Sequence, residues 1–266
     1  MAQLKSILFC IVCLFVGITA KGQTTPFKLY TIHDGLPQSQ ILTLFQDSRG
    51  YIWAGTYNGL ACFNGVSFHT LTPKDSLPYS LINCIQEDTK GNIWFTASRW
   101  LCKYDGQRIT YDSFNIRTPR GNFLIDKFDN FWTISADSVP YISHDGKTWQ
   151  PYSAFPPSVK NLKWTSLVYK NADSTLFMQS EKGHLLYLRN KTWHFVRGGE
   201  RVNLNSTYGF GFHSFDNIFC NGNNLYVWEQ DTLRFLQTLR HTPMTFPVYS
   251  TQKRHLLYRT DCDITN

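Results

Sequence analysis

Beyond its first residues this 266-residue chain has no apolar run approaching the ~20 residues a membrane-crossing helix needs. Charge is scarce as well, at 17% of residues against 42% hydrophobic, a balance that argues against disorder. Lys and Arg outnumber Asp and Glu by 26 to 19 but never stand four in a row. No stripe for nucleic acid is therefore expected. The basic excess reads as a solvated surface, and its other meaning is an acidic ligand or an anionic surface.

The chemistry-bearing residues are dispersed. Cys62, Cys84, Cys102, Cys220 and Cys262 remain once the N-terminal Cys10 and Cys13 are set aside. An odd number at irregular spacing is not a disulfide framework, and no Cys-x-x-Cys offers a zinc site. Cys62, Cys84 and Cys102 alternate with apolar residues, as buried free thiols on strands would. The eight histidines show neither His-x-His nor His-Glu-x-x-His spacing, so neither metal nor cofactor is expected. Glycoside hydrolysis needs two carboxylates placed across one bond. Glu87, Glu181, Glu200 and Glu229 form no visible pair, and most Asp residues fall in recurring turns. No catalysis is expected.

The N-terminus carries Lys5, an uncharged run from Ile7 to Ile18, and Ala20-Lys21-Gly22 before Gln23. This pattern predicts a secretory signal over residues 1–22 and an exported mature chain over 23–266; an uncleaved anchor is the alternative. The mature part is not expected to insert into a membrane.

What the chain has in quantity is aromatic residues, 16%, and they recur. Leu36-Pro37…Asp47-Ser48-Arg49-Gly50-Tyr51-Ile52-Trp53 is echoed by Leu77-Pro78…Asp88-Thr89-Lys90-Gly91-Asn92-Ile93-Trp94 at an offset of 41 residues. Aligning Trp53, Trp94, Trp132, Phe177 and Phe219 gives steps of 41, 38, 45 and 42. A period near 40 with a Gly turn before an aromatic strand predicts a β-propeller. The first unit reads as strands over 41–45, 51–55, 60–63 and 66–70. Asn64-Gly65 reads as a type I′ hairpin turn. The fold expected is all-β, with about five blades of four antiparallel strands plus a partial sixth, an incomplete ring. Phe27-Lys28-Leu29-Tyr30 matches an outermost strand, and the whole reads as the N-terminal part of a longer protein.

The pattern Leu-Pro…Asp…Gly-x-Ile-Trp…Gly-Leu…Phe/Tyr-Asn/Asp-Gly, clearest over 34–71 and 75–111, resembles the two-component regulator propeller repeat. That family supplies extracytoplasmic sensors of Bacteroidetes hybrid histidine kinases. Its usual layout is two propellers, a β-sandwich, a membrane helix and a cytoplasmic kinase. The resemblance implies a periplasmic ligand-sensing propeller responsive to glycans, acting as a homodimer through the full-length sensor, with its kinase outside this chain. A stand-alone protein-interaction propeller is one alternative. A sialidase-like glycosidase is another, since Ser143-His144-Asp145-Gly146-Lys147-Thr148-Trp149 resembles an Asp-box one residue short.

One place breaks the repeat. Where the first unit has Asn58-Gly59, the second has Arg99-Trp100. A turn Trp can stack on a sugar ring while Arg bonds hydroxyls or a carboxylate. The plainer reading is that Trp100 covers a neighbouring blade. Arg99 and Trp100 are the candidate ligand-binding residues for an oligosaccharide or other small extracellular ligand.

Overall fold

The computed structural model describes residues 28–118, 121–170, 175–182, 184–189, 191–197, 210–212, 218–221, 224–238, 247–250 and 256–258. The expected signal segment lies outside them. Two compact units are resolved, Met1–Tyr30 and Thr31–Asn266. In the first, Lys28 to Tyr30 are irregular rather than the expected outermost strand, and Phe27 lies outside the described residues. The Lys28 ammonium lies 4.7 Å from the Tyr30 ring centre, a local contact that needs no partner strand.

The second unit is a run of antiparallel sheets. The first contains β1 (Ile41–Gln46), β2 (Ile52–Thr56), β3 (Gly59–Phe63) and β4 (Phe68–Leu71), hydrogen-bonded in that order. The second contains β5 (Ile82–Glu87), β6 (Ile93–Ala97), β7 (Trp100–Tyr104) and β8 (Ile109–Ser113). The third, β9 (Leu124–Ile125), β10 (Phe131–Ile134), β11 (Pro140–Ser143) and β12 (Gln150–Pro151), has only two-residue inner and outer strands. The fourth contains β13 (Trp164–Lys170), β14 (Thr175–Ser180), β15 (Leu185–Arg189) and β16 (Thr192–Phe195). The fifth contains β17 (Phe210–Phe212), β18 (Ile218–Asn221), β19 (Asn224–Glu229) and β20 (Thr232–Thr238). A sixth sheet pairs only β21 (Pro247–Ser250) with β22 (Leu256–Tyr258). Innermost strands stand side by side, β1 with β5, β5 with β9, β9 with β13 and β13 with β17, while β21 lies against β1. Five full blades and a partial one, in an incomplete ring, make a β-propeller.

The repeated residues explain why each blade forms. Asp47 Oδ1 accepts the backbone N–H of Arg49 (3.0 Å) and Tyr51 (2.9 Å), closing the β1–β2 turn. Its Oδ2 accepts the indole N–H of Trp53 at 3.0 Å. Asp88 does the same for Lys90, Asn92 and Trp94, and Asp126 for Phe128, Asn130 and Trp132. One carboxylate thus fixes both a turn and the large ring six residues on, so a Trp can be buried with its N–H satisfied. The rings then pack onto the following blade. Trp53 meets Tyr104 edge-on at 5.8 Å, Trp94 meets Phe131 at 4.7 Å, and Phe177 meets Trp228 at 5.0 Å.

Hydrogen bonds add a second inter-blade tie. Glu87 accepts the N–H and the hydroxyl of Ser48, both at 2.7 Å. Asp129 accepts the N–H (2.8 Å) and hydroxyl (2.6 Å) of Thr89. Asp129 stands where the earlier units have Gly50 and Gly91, and adopts φ of 61°, a left-handed conformation that Gly takes freely and Asp more readily than most other residues.

The β3–β4 turn corrects one expectation. A type I′ turn needs two residues at positive φ, but only Gly65 has one, at 96°. Asn64 instead accepts the N–H groups of Val66 and Ser67 through its side chain, both at 2.9 Å, giving a four-residue loop. Asp105 and Asp145 repeat this device in the next two blades. Before each of the first two blades a 3-10 turn carries a reciprocal cap, Thr31 with Asp34 and Thr72 with Asp75, leading into buried Leu36 and Leu77.

The described thiols follow the expected pattern. Cys62 and Cys102 are buried, Cys84 is half-buried, and all three are free. Burial pushes the thiols of Cys62 and Cys84 up to about 11, and that of Cys102 up to about 12. At neutral pH all three are protonated and poor nucleophiles. A maleimide should therefore leave them unlabelled in the native protein at pH 7 and modify them once urea unfolds it, as intact mass spectrometry would show.

Candidate functional site

Each blade has two ends. The turns β2–β3, β6–β7, β10–β11 and β14–β15 share the upper end with the connectors leading into β1, β5, β9 and β13. The turns β1–β2 and β3–β4 and their counterparts form the lower end.

On the lower face the acidic residues are engaged in structure. Asp47, Asp88 and Asp126 hold turns and Trp rings, while Glu87 and Asp129 tie neighbouring blades. Burial alone would push the Asp88 carboxyl up. Hydrogen bonds from Trp94, Asn92 and Lys90 outweigh it and hold the group below the usual range. In the Asp-box-like turn, Asp145 accepts the N–H of Thr148 and Lys147, both at 2.7 Å, and the Ser143 hydroxyl at 2.9 Å. The backbone N–H groups of Thr148 and Lys147 hold its carboxyl down at about 2. Gly146 of this turn sits under Trp94, where a Cβ would come within 3.0 Å of the ring. This turn is therefore an inter-blade packing element.

The upper face is built differently. Each connector is stapled to its own blade's upper turn. The Asn58 amide donates to Pro37 O (3.3 Å), and Ser98 N to Leu81 O (3.0 Å). Ala136 N donates to Arg117 O (2.7 Å), and Glu181 N to Lys163 O (2.9 Å). The side chains presented here include exposed Tyr57, Tyr79, Arg99 and Arg117.

Arg99 occupies the tip of the β6–β7 turn and is exposed, whereas Trp100 is the first residue of β7. The turn proper is Ser98-Arg99, so Trp100 is not a turn residue. Where the first blade places its positive φ at Gly59 (137°), the second places it at Ser98 (57°). That upstream shift frees position 100 for a bulky residue. The Trp100 ring is half-buried against the apolar core shared by the first two blades and meets Tyr111 edge-on at 5.4 Å. Part of it remains accessible beside Arg99. Among the described residues no group of three or more His, Cys, Asp or Glu is arranged to hold a metal.

Comparisons with known proteins agree with the class that the blades define. Residues 35–58 and 76–99 match the family model of the two-component regulator propeller, so the first two blades carry that repeat. A segment of 56 residues is 41% identical to histidine kinase P4 of Formosa agariphila, covering 20% of this chain and 4% of the relative. The fold is similar to the extracellular domain of a hybrid two-component system from B. thetaiotaomicron, with TM-score 0.52 and 15% identity. That match covers 77% of this chain and 32% of the other. It is also similar to virginiamycin B lyase from Staphylococcus aureus, with TM-score 0.54, 12% identity, and 82% and 74% of the two chains covered. The same architecture thus occurs in an extracellular domain of a two-component system and in a lyase, and only the site can separate such roles.

Proposed function

We propose that this chain is an exported ligand-recognition propeller of a two-component signalling system, responsive to oligosaccharides through its upper face. The observation that carries the reading is the coincidence of two regulator-propeller repeats with a break in the repeat at Arg99-Trp100. Scaffold residues recur because every blade needs them. A residue that reads a ligand has no reason to recur. The exposed Arg99 guanidinium offers planar donors to sugar hydroxyls or a carboxylate, and the free part of the Trp100 ring offers an apolar face. Tyr57 and Tyr79, exposed on the same end, extend that surface.

Within a full-length sensor, ligand binding would favour one arrangement of paired extracytoplasmic domains, in a homodimer, over another. It could shift that balance only by the difference in its affinity for the two. The kinase activity named for the curated relative belongs to a protein of which this chain covers 4%. The test is calorimetric titration of the full chain with a panel of neutral and acidic oligosaccharides. Saturable binding of one or more supports the reading. No binding across the panel contradicts it and favours a protein-interaction propeller.

A further inference from the structure

The upper face has an uneven charge distribution that extends beyond Arg99. Four separate backbone hydrogen bonds tie the upper ends of the second, third and fourth blades to their connectors. Phe114 N donates to Arg99 O (2.7 Å), Ala136 N to Arg117 O (2.7 Å), Trp164 N to Ser138 O (3.2 Å) and Glu181 N to Lys163 O (2.9 Å). Along this arc stand Arg99, Arg117, Lys160, Lys163 and Lys182, all exposed. The arc's carboxylates are Asp137 and Glu181. Among the described residues none of those five cations makes an ion pair.

The lower face is the internal control. There Arg49 pairs with Asp47, Arg108 with Asp105 and Arg189 with Asp231, while Lys90, Lys127 and Lys191 make no ion pair among the described residues. Among the described residues the ion pairs thus gather at the lower end, and none is made by the five cations of the arc.

A second, independent observation falls at the same end of the blades and lies partly along the arc. Among the described residues, five buried side-chain polar atoms have no hydrogen-bond partner: Gln38 Oε1, Thr96 Oγ1, Thr118 Oγ1, Gln179 Nε2 and Trp149 Nε1. All but Trp149 belong to the upper end of a blade or to a connector there. Thr96 is fully buried and Gln179 nearly so. The Thr96 hydroxyl faces Gly121 in the connector, where a Cβ would approach it to 3.2 Å. Orphaned polar groups beneath a surface are costly unless something supplies the missing bond.

We propose that the arc from Arg99 to Lys182 recognises the carboxylate groups of an acidic, uronate-type oligosaccharide. This inference rests on the sensor reading and narrows its ligand class. Guanidinium and ammonium groups that make no ion pair among the described residues can donate to carboxylates at little cost in broken pairs, and Arg99 and Arg117 can do so with two parallel bonds. The half-exposed Trp100 and the nearby tyrosines suit the apolar faces of the same sugars.

The experiment titrates the full chain with a galacturonic acid tetrasaccharide and with its methyl ester, which keeps the backbone and removes the charge. The acid is expected to bind at least about tenfold more tightly, and its affinity to fall severalfold between 50 and 300 mM salt, while that of the ester stays flat. The double variant Arg117→Glu with Lys163→Glu should lose the acid, and Lys127→Glu on the lower face should not. Should the double variant fail to fold, the salt dependence of the unaltered protein still decides. Equal binding of acid and ester, or equal loss in Lys127→Glu, overturns the inference and leaves oligosaccharide sensing intact. Binding of a neutral panel member without the acid does the same. Absence of binding by either set overturns both.

Discussion

Replacing Asp47 with alanine is expected to cost about 1–3 kcal/mol of stability for the orphaned buried indole N–H alone, with the loss of the turn that the carboxylate closes added to that. The Asp47 side chain has no exposed surface, and its carboxylate accepts from Arg49 N, Tyr51 N, the Trp53 indole and the Arg49 guanidinium. Alanine leaves the buried indole N–H without an acceptor and opens the turn that aims it. Against a total of about 5–15 kcal/mol for a folded domain, that loss is large. Urea unfolding followed by Trp fluorescence should show a clearly lowered midpoint. Asp105→Ala removes a similar cap from an exposed turn and should lower the midpoint far less. Equal effects from the two would mean that the Asp–Trp bond carries no special weight.

A second large effect is expected at Gly59. Its φ of 137° is a region that side chains rarely adopt, and an added Cβ would lie 2.5 Å from the Leu71 carbonyl oxygen. That atom is backbone of β4, paired through Leu71 with Leu60 of β3, so it cannot rotate away. Gly59→Ala should therefore combine backbone strain of about 1–3 kcal/mol with forced separation of two strands. Low soluble yield or a strongly lowered thermal midpoint is the expected readout. Gly65→Ala, also at positive φ but with open space around it, should be far milder. If Gly59→Ala unfolds at the wild-type midpoint, the close approach to Leu71 is not a constraint.

How far the sequence could be read depended on whether a feature recurred. Strand positions, the Asp-x-x-Gly turns and the buried aromatics repeat at a near-constant spacing, so Trp53, Trp94 and Trp132 could be aligned without a structure. The bond from each Asp to its Trp lies inside that repeat, but the spacing alone does not show that the carboxylate reaches the ring. The inter-blade ties were hidden for a different reason. Ser48 and Thr89 are equivalent positions, yet their partners Glu87 and Asp129 come from different places in the repeat. Two sequence solutions to one geometric need leave no periodic trace.

The candidate site was half legible. Arg99-Trp100 stood out as a break in the pattern, and the structure moves Trp100 onto a strand because the left-handed residue shifted to Ser98. The remaining cations lie on connectors of unequal length, where neither register nor period applies. Only the fold collects Arg117, Lys163 and Lys182 onto one face. The outermost strand expected around Lys28 came from a 41-residue match to Phe68-His69-Thr70-Leu71. In the structure Lys28 to Tyr30 are irregular.

The central claim is that recurring residues build the propeller while the residues that break the repeat read the ligand. Arg99→Asn gives the second blade the residue found at the equivalent position of the first and tests this most directly. The measurement is calorimetric titration of this variant with the oligosaccharide that binds the unaltered chain. The account predicts at least a tenfold loss of affinity with an unchanged thermal midpoint. Undiminished binding, or a loss seen only alongside a collapse in stability, would contradict it.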